Sequence, residues 1–174
     1  MNAHTPESAD SLASELRDLV VSKAYRYGDF TLASGKNSKH YVNGKMVLLE
    51  PRGAELFAKW ILARASELDP RPVAVGGLEL GAVPIACSVM SHSDGDLRTF
   101  IVRKKKKEHG AGQQIEGRLE PGDHVLVVDD VITTGGSTWQ AIETVEALGC
   151  KVVGVYCLVD RQEDTLEQLK PYGV

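Results

Sequence analysis

Residues 125–137 constrain the fold and the chemistry of this chain more than any other segment. They read Val-Leu-Val-Val-Asp-Asp-Val-Ile-Thr-Thr-Gly-Gly-Ser. The four apolar residues predict a buried strand that ends at the two adjacent acids, and the small residues predict a turn into a helix beginning at Ser137. Carboxylates accept hydrogen bonds from sugar hydroxyls, and backbone N–H groups at a helix N-terminus bind phosphate. The segment therefore favours a site for a sugar phosphate.

Strand and helix patterns alternate along most of the chain. We predict strands at 73–76, 99–102, 125–128 and 152–159, and helices at 83–90 and 137–148. Before them we predict a helix over 12–24 that stops at Gly28, a hairpin-like segment over 30–47, and a helix over 51–68. This alternation predicts an α/β fold with a central parallel sheet flanked by helices, in which ligands bind beyond the carboxyl ends of the strands.

The length of 174 residues predicts one domain. We divide it into a loose extension (1–10) and a domain (11–174), within which 11–50 forms an N-terminal helix and hood and 51–174 an α/β core. No apolar stretch approaches the roughly 20 residues that span a bilayer, and the N-terminus lacks the apolar core of a secretory signal, so we expect no membrane contact and a cytoplasmic location. The three cysteines are unevenly spaced, which favours small buried side chains over a disulfide framework.

A basic run, 103–114, interrupts an otherwise acidic chain. The net charge of −4 argues against nucleic-acid binding, and no aromatic residue lies within the run to stack on bases. A solvated charged loop is one interpretation, since most lysine runs are solvated. The other is a mobile cationic loop that closes over a departing anion, stabilises its charge and excludes water.

Four motifs between residues 30 and 163 resemble those of a known family. Residues 125–137 resemble the phosphoribosyl-pyrophosphate (PRPP) fingerprint of type I phosphoribosyltransferases, and match neither a Walker A loop nor a dinucleotide-binding turn. Three further segments are similar to motifs of the orotate phosphoribosyltransferases. These are Phe30-Thr-Leu-Ala-Ser-Gly-Lys-Asn-Ser-Lys-His-Tyr, Arg103-Lys-x-x-Lys-x-His-Gly and Asp160-Arg-Gln-Glu.

The resemblance implies the type I phosphoribosyltransferase fold and the conversion of orotate and PRPP to orotidine 5′-monophosphate and diphosphate, in de novo pyrimidine (UMP) synthesis. It implies Mg²⁺ as cofactor, carried by the PRPP diphosphate with no protein ligand assigned. The implied catalytic residues are Lys107, His109, Asp129 and Asp130. The implied PRPP-binding residues are Arg103, Lys104, Lys107, His109, Asp129, Asp130, Val131, Ile132, Thr133, Thr134, Gly135, Gly136 and Ser137.

The resemblance also implies separate roles for these residues. Asp129 and Asp130 bind the ribose hydroxyls, 133–137 holds the 5′-phosphate, and Thr133 with Arg161 contacts orotate. A planar guanidinium suits the orotate carboxylate, although an exposed salt bridge would explain Arg161 equally well without the family context. Lys104 faces the diphosphate of its own site. Three other side chains of the basic loop act on the partner subunit's site, which implies a homodimer: Arg103, Lys107 and His109.

Some questions stay open at this level. His109 either donates a proton to diphosphate or stabilises its charge. The family often has a lysine before Ser-Gly, where this chain has Ala33, and a Tyr-Lys pair where it has Leu80 and Gly81. The lysines that could replace the lysine missing at Ala33 are Lys36, Lys39 and Lys45.

Two rival functions use the same PRPP turn. A purine phosphoribosyltransferase usually places an aromatic residue after the last strand, where this chain has Val159-Asp160. A PRPP-sensing regulator that binds RNA or DNA should be basic over a wide face, which the acidic net charge disfavours.

Overall fold

The computed structural model describes residues 8–31, 35, 37–105, 114–162 and 167–172. Within these ranges the α-helices are Ala9–Leu19 (α1), Lys45–Leu48 (α2), Pro51–Ala65 (α3), Ala82–His92 (α4) and Gly136–Ala147 (α5). The strands are Tyr25–Thr31 (β1), Asn37–Val42 (β2), Ala74–Leu78 (β3), Arg98–Val102 (β4), Ile115–Gly117 (β5), His124–Ile132 (β6) and Lys151–Asp160 (β7). A π-helical turn, Val20–Ala24, follows α1, and a 3-10 helix spans Glu167–Tyr172.

Five strands form the central sheet in the order β5-β4-β3-β6-β7. β3 pairs in parallel with both β4 and β6, and β6 pairs in parallel with β7. The predicted parallel sheet flanked by helices is confirmed. The edge strand β5 is antiparallel to β4 and was not predicted, because three residues are too few to show an alternating pattern.

Alternate side chains of the central strands point into two cores. Val75 and Leu126 pack with buried residues of α1, α3 and α4 on one face. Ala74 and Val125 pack on the other face with buried residues of α5 and of the 3-10 helix. All five residues of β3 are buried, as expected for a strand covered on both sides. The helices thus leave the carboxyl edge of the sheet for the connecting loops.

The N-terminal hood contains a separate two-stranded sheet. β1 and β2 pair antiparallel from Tyr25↔Val42 to Thr31↔Asn37, so the predicted hairpin is present but begins earlier and ends earlier than expected. The prediction that the first helix stops at Gly28 is wrong, since α1 ends at Leu19 and Gly28 lies within β1. Tyr25 and Tyr27 favour a strand because their rings pack on His40 of β2.

The prediction that the acid pair ends its strand is also wrong. β6 continues to Ile132 because its pairing with β7 continues, with Asp129 opposite Cys157 and Ile132 opposite Asp160. The two carboxylates therefore belong to the sheet and do not lie in a loop. The following helix begins one residue before the predicted Ser137, at Gly136.

The first helix begins at a serine cap within the predicted extension. Ser8 caps α1 by accepting a hydrogen bond from the Ser11 N–H, so the last residues of the predicted extension belong to a helix, while 1–7 lie outside the described residues.

Cys87 is exposed, contrary to the expectation of burial, because it lies on the outer side of α4. Within the described part of the chain, no helix has the length and apolarity to cross a membrane.

Candidate active site

The acid pair of β6 is held by hydrogen bonds on both carboxylates. Asp129 is 7% exposed, and its two oxygens accept from the Asp130 N–H at 2.9 Å and from the Thr138 hydroxyl at 3.0 Å. The Oδ1 of Asp130 accepts from the Val131 N–H at 2.9 Å. Both side chains are therefore oriented before any ligand binds, and α5 contributes through Thr138.

Burial changes the acidity of Asp129. Loss of solvation and, second to it, the neighbouring charge of Asp130 together raise its pKa from the ordinary 3.8 to about 6. The hydrogen bonds from Thr138 and from the Asp130 N–H act in the opposite direction, because they favour the carboxylate. A raised pKa in a hydrogen-bonded pair at the carboxyl edge of a parallel sheet is typical of a functional site.

The turn after β6 presents the N-terminus of a three-turn helix. Gly135 is the N-cap residue and has φ +83°, a left-handed conformation that glycine adopts without cost. A Cβ at this position would collide with the Leu169 side chain. Because Gly135 has no side chain to cap α5, the first N–H groups of the helix lack a side-chain partner from the cap residue. The turn thus suits an anion, as predicted from 133–137.

A second turn, between β3 and α4, approaches the acid pair. A Cβ on Gly81 would lie 2.6 Å from Asp130 Oδ1 and 2.9 Å from Asp129 Oδ1, so only glycine allows the backbone this close. The preceding peptide bond, between Glu79 and Leu80, is cis. The carboxylate of Glu79 accepts the Lys104 N–H at 3.0 Å, which joins this turn to the start of the basic run.

Among the described lysines of the hood, Lys45 reaches this site. Its Nζ lies 2.5 Å from Asp130 Oδ2. Lys39 instead pairs with Asp29 within the hairpin, and Lys36 lies outside the described residues. The sequence left three lysines open, because nothing in the spacing of 36–45 tells which side chain points toward a strand 85 residues later.

Arg161 follows β7 at the same edge of the sheet. Its N–H donates to the Ile132 carbonyl at 2.9 Å, and its Nη2 donates to the Ser38 hydroxyl at 3.1 Å and to the His40 carbonyl at 3.2 Å. The guanidinium is thus held by the hood hairpin. The importance of Ser38 was missed, although it is the second serine of the Ser-Gly-x-x-Ser motif.

The described part of the basic run begins at the site. Arg103 donates to Glu116 of β5 at 3.3 Å, and its Nε is buried without a hydrogen-bond partner among the described residues. The carbonyl of Lys104 accepts from Gln140 of α5 at 3.3 Å. The predicted catalytic residues Lys107 and His109 lie outside the described residues.

Most of the predicted site residues thus meet at one edge of the sheet. Val131 and Ile132 belong to β6 and 133–135 form the turn, while Gly136 and Ser137 open α5. The predicted contacts of these residues with substrate remain predictions.

Comparison with known proteins agrees with this geometry. The family described as phosphoribosyl transferase domain matches residues 43–173, more than half of the chain. An orotate phosphoribosyltransferase of Rhodopirellula baltica is 43% identical, over 96% of this chain and 92% of that protein. One of Pyrococcus abyssi is 42% identical, over 93% of this chain and 88% of that protein.

Solved structures give the same result. The orotate phosphoribosyltransferase of Mycobacterium tuberculosis H37Rv, in complex with PRPP, superposes with a TM-score of 0.76 at 32% identity, over 94% of this chain and 91% of that chain. The enzyme of Aeropyrum pernix superposes with a TM-score of 0.72 at 33% identity, over 94% and 89%. The chain belongs to the phosphoribosyltransferase family and, within it, to the orotate phosphoribosyltransferases.

Proposed function

We propose that this protein transfers the 5-phosphoribosyl group of PRPP to orotate, giving orotidine 5′-monophosphate and diphosphate, in the de novo synthesis of UMP. The observation that carries the proposal is the convergence of the acid pair, the helix N-terminus of 133–137 and Arg161 at one edge of a parallel sheet. Relatives about as long as this chain and about 40% identical to it are orotate phosphoribosyltransferases. We assign the reaction to the cytoplasm.

The acid pair binds the ribose. Each carboxylate oxygen of Asp129 already accepts one hydrogen bond and has a further lone pair for a sugar hydroxyl. The 5′-phosphate lies in the turn, on the N–H groups that open α5 and on the Thr133, Thr134 and Ser137 hydroxyls. Glycines at 135 and 136 let the phosphate approach the backbone.

Orotate binds beside the pentose, where Thr133 and Arg161 contact it. Orotate carries a carboxylate, and a guanidinium can donate two parallel hydrogen bonds to such a group. The hood supports this role because the Ser38 hydroxyl and the His40 carbonyl fix the guanidinium. Uracil lacks the carboxylate, so Arg161 also explains the choice of base.

No protein nucleophile is needed, because an anionic orotate ring nitrogen attacks the anomeric carbon as diphosphate leaves. The protein positions the two substrates and stabilises the leaving group. Lys104 faces the diphosphate bound in its own subunit, while Lys107 and His109 supply charge or a proton to the diphosphate bound in the partner subunit.

The enzyme acts as a homodimer in which Arg103, Lys107 and His109 of each subunit serve the partner's site. Large apolar side chains exposed next to site residues support this assembly, since Met46 follows Lys45 and is 50% exposed, and Leu80 precedes Gly81 and is 66% exposed. We expect no contact with nucleic acid or membrane.

Mg²⁺ enters as the complex with PRPP. Magnesium is commonly held by one or two carboxylates together with substrate phosphates. The described residues contain no group of three or more His, Cys, Asp or Glu that could hold a metal by themselves. In this proposal the diphosphate oxygens of PRPP hold the cation, and no protein ligand is assigned. When bound, Mg²⁺ neutralises part of the diphosphate charge.

The decisive experiment offers PRPP and Mg²⁺ with orotate, uracil, hypoxanthine or adenine. We expect consumption of orotate alone. Arg161→Met should lower kcat/KM for orotate by about 10- to 100-fold, the effect of losing charge-assisted hydrogen bonds, and should leave PRPP binding intact. Arg118→Met, at an exposed arginine paired with Glu120, is the matched control.

Two results would contradict the proposal. Transfer to hypoxanthine or adenine would identify a purine enzyme. An electrophoretic shift of RNA or DNA without any base consumption would identify a regulator.

A further inference from the structure

Lys45 joins the hood to the acid pair through a partly buried ion pair. The side chain of Asp130 is 14% exposed and that of Lys45 is 39% exposed. The backbone is also close, because a Cβ on Gly44 would lie 3.2 Å from Asp130 Cβ and 3.3 Å from Val131 Cγ2. The backbone just before Lys45 is therefore packed directly against β6.

The hydrogen-bonding capacity of this ammonium group is only partly used. A lysine ammonium has three N–H donors, and the described residues give Lys45 one partner, the Oδ2 of Asp130. The other oxygen of Asp130 accepts from the Val131 N–H. The half-exposed ammonium can therefore keep its bond to Asp130 and donate to an anion at the same time.

The position of that anion follows from the neighbouring turn. Gly81 lies beside the carboxylate of Asp130, which pairs with Lys45. From the same turn, the Glu79 carboxylate accepts the Lys104 N–H at 3.0 Å. An anionic group that leaves the pentose next to Asp130 thus meets Lys45 on the hood side and Lys104 on the side of the basic run.

We propose that Lys45 is a substrate-binding cation of this enzyme, which bridges Asp130 and the diphosphate of PRPP. The proposal rests on PRPP being the substrate. It assigns Lys45 two tasks, since one N–H orients the ribose-binding carboxylate and the others bind the group that departs. It predicts that Lys45 distinguishes ligands with a diphosphate from ligands without one.

The test compares the binding of PRPP and of orotidine 5′-monophosphate. In this proposal both ligands place their ribose at the acid pair, but only PRPP carries a diphosphate. With Mg²⁺ present, Lys45→Met should raise the dissociation constant of PRPP by about tenfold or more, and that of the nucleotide by less than about threefold. Lys45→Arg, which keeps the cation, should recover most of the PRPP affinity.

Lys59→Met is the matched control, because Lys59 forms an ion pair of 2.6 Å with Glu55 on α3 and has a similar exposure of 34%. It should change neither dissociation constant. Circular dichroism monitors folding, and Lys45→Gln replaces Lys45→Met if the latter does not fold.

Equal losses for both ligands would overturn the proposal, because Lys45 would then act only by orienting Asp130. Unchanged PRPP affinity would also overturn it. The assignment of orotate as the acceptor is tested separately with the wild-type enzyme. If PRPP binding depends on Lys45 but orotate is not consumed, the assignment of orotate is refuted and the role of Lys45 is not.

Discussion

Asp129 is a buried acid near the carboxyl end of the inner strand β6, and its burial lowers the free energy of unfolding when it is ionised. Its pKa of about 6 results first from burial and then from the charge of Asp130, only partly offset by the Thr138 hydrogen bond. The ordinary value is 3.8, so the folded state holds this proton more tightly than the unfolded chain. The free energy of unfolding contributed by Asp129 therefore falls as pH rises from about 4 to about 6, and changes little above that.

Asp129→Asn should remove this penalty and abolish function together. The difference between 3.8 and about 6 corresponds to about 3 kcal/mol of unfolding free energy, as an upper value. The stability of the variant relative to wild type should rise by up to that amount between about pH 4 and 7, while PRPP binding is lost.

Urea unfolding at about pH 4.5, 6 and 7.5 measures this change. Asp29→Asn, at an acid whose side chain is 88% exposed, controls for the loss of one negative charge. A constant difference between Asp129→Asn and wild type across this range would show that Asp129 titrates normally.

The hairpin β1–β2 is an element whose role depends on a partner far along the chain. Its Ser38 hydroxyl bonds to the His40 carbonyl and N–H, and it also accepts from the Arg161 guanidinium. Ser38 and His40 thus both accept hydrogen bonds from the guanidinium of Arg161, the residue that follows β7. The hood therefore positions the Arg161 side chain, which we propose to contact the base.

Ser38→Ala should weaken this positioning without unfolding the protein. The Arg161 guanidinium keeps its bond to the His40 carbonyl, so we expect the KM for orotate to rise by about 3- to 10-fold, with PRPP binding unchanged. Steady-state kinetics at saturating PRPP measures the effect. Ser22→Ala is the control, since within the described parts of the chain that hydroxyl bonds to carbonyls of α1 alone. A change in PRPP affinity of the same size would mean that the hairpin acts on the whole site.

At the scale of the whole molecule, the sheet places three connections at its carboxyl edge: the β3–α4 turn, the turn from β6 into α5 and the segment after β7. We expect the basic run to complete the site of a partner subunit. The described start of this run is anchored on both sides, by Glu79 from the β3–α4 turn and by Gln140 from α5. Residues 106–113 follow directly after this anchored start.

A mixed dimer tests the sharing of the loop. At orotate concentrations below KM, we expect homodimers of Lys107→Ala and of Arg161→Met to retain at most about a tenth of the wild-type rate. Heterodimers purified through two different tags should recover about half of wild-type turnover, because one of their two sites combines an intact loop with an intact Arg161. A heterodimer as inactive as its parents would show that each loop serves its own subunit.

Local patterns determined much of this protein. The spacing of apolar residues from residue 51 onward predicted the order of α3, β3, α4, β4, β6, α5 and β7, because each pattern reflects the period of its own element. It missed the short strand β5 and the 3-10 helix. The segment 125–137 located the acid pair and the turn into α5, since the strand, the turn and the helix that build them are adjacent in the chain.

Contacts between distant segments were decided only by the tertiary structure. β6 extends through its acids because β7 continues to pair with it, and the sequence of β6 contains no sign of that partner. Lys45 and Asp130 are 85 residues apart, and Ser38 and Arg161 are 123 residues apart. Which lysine or serine reaches the site depends on how the hood packs against the sheet, and the energy of that packing is distributed over many contacts that no single motif encodes.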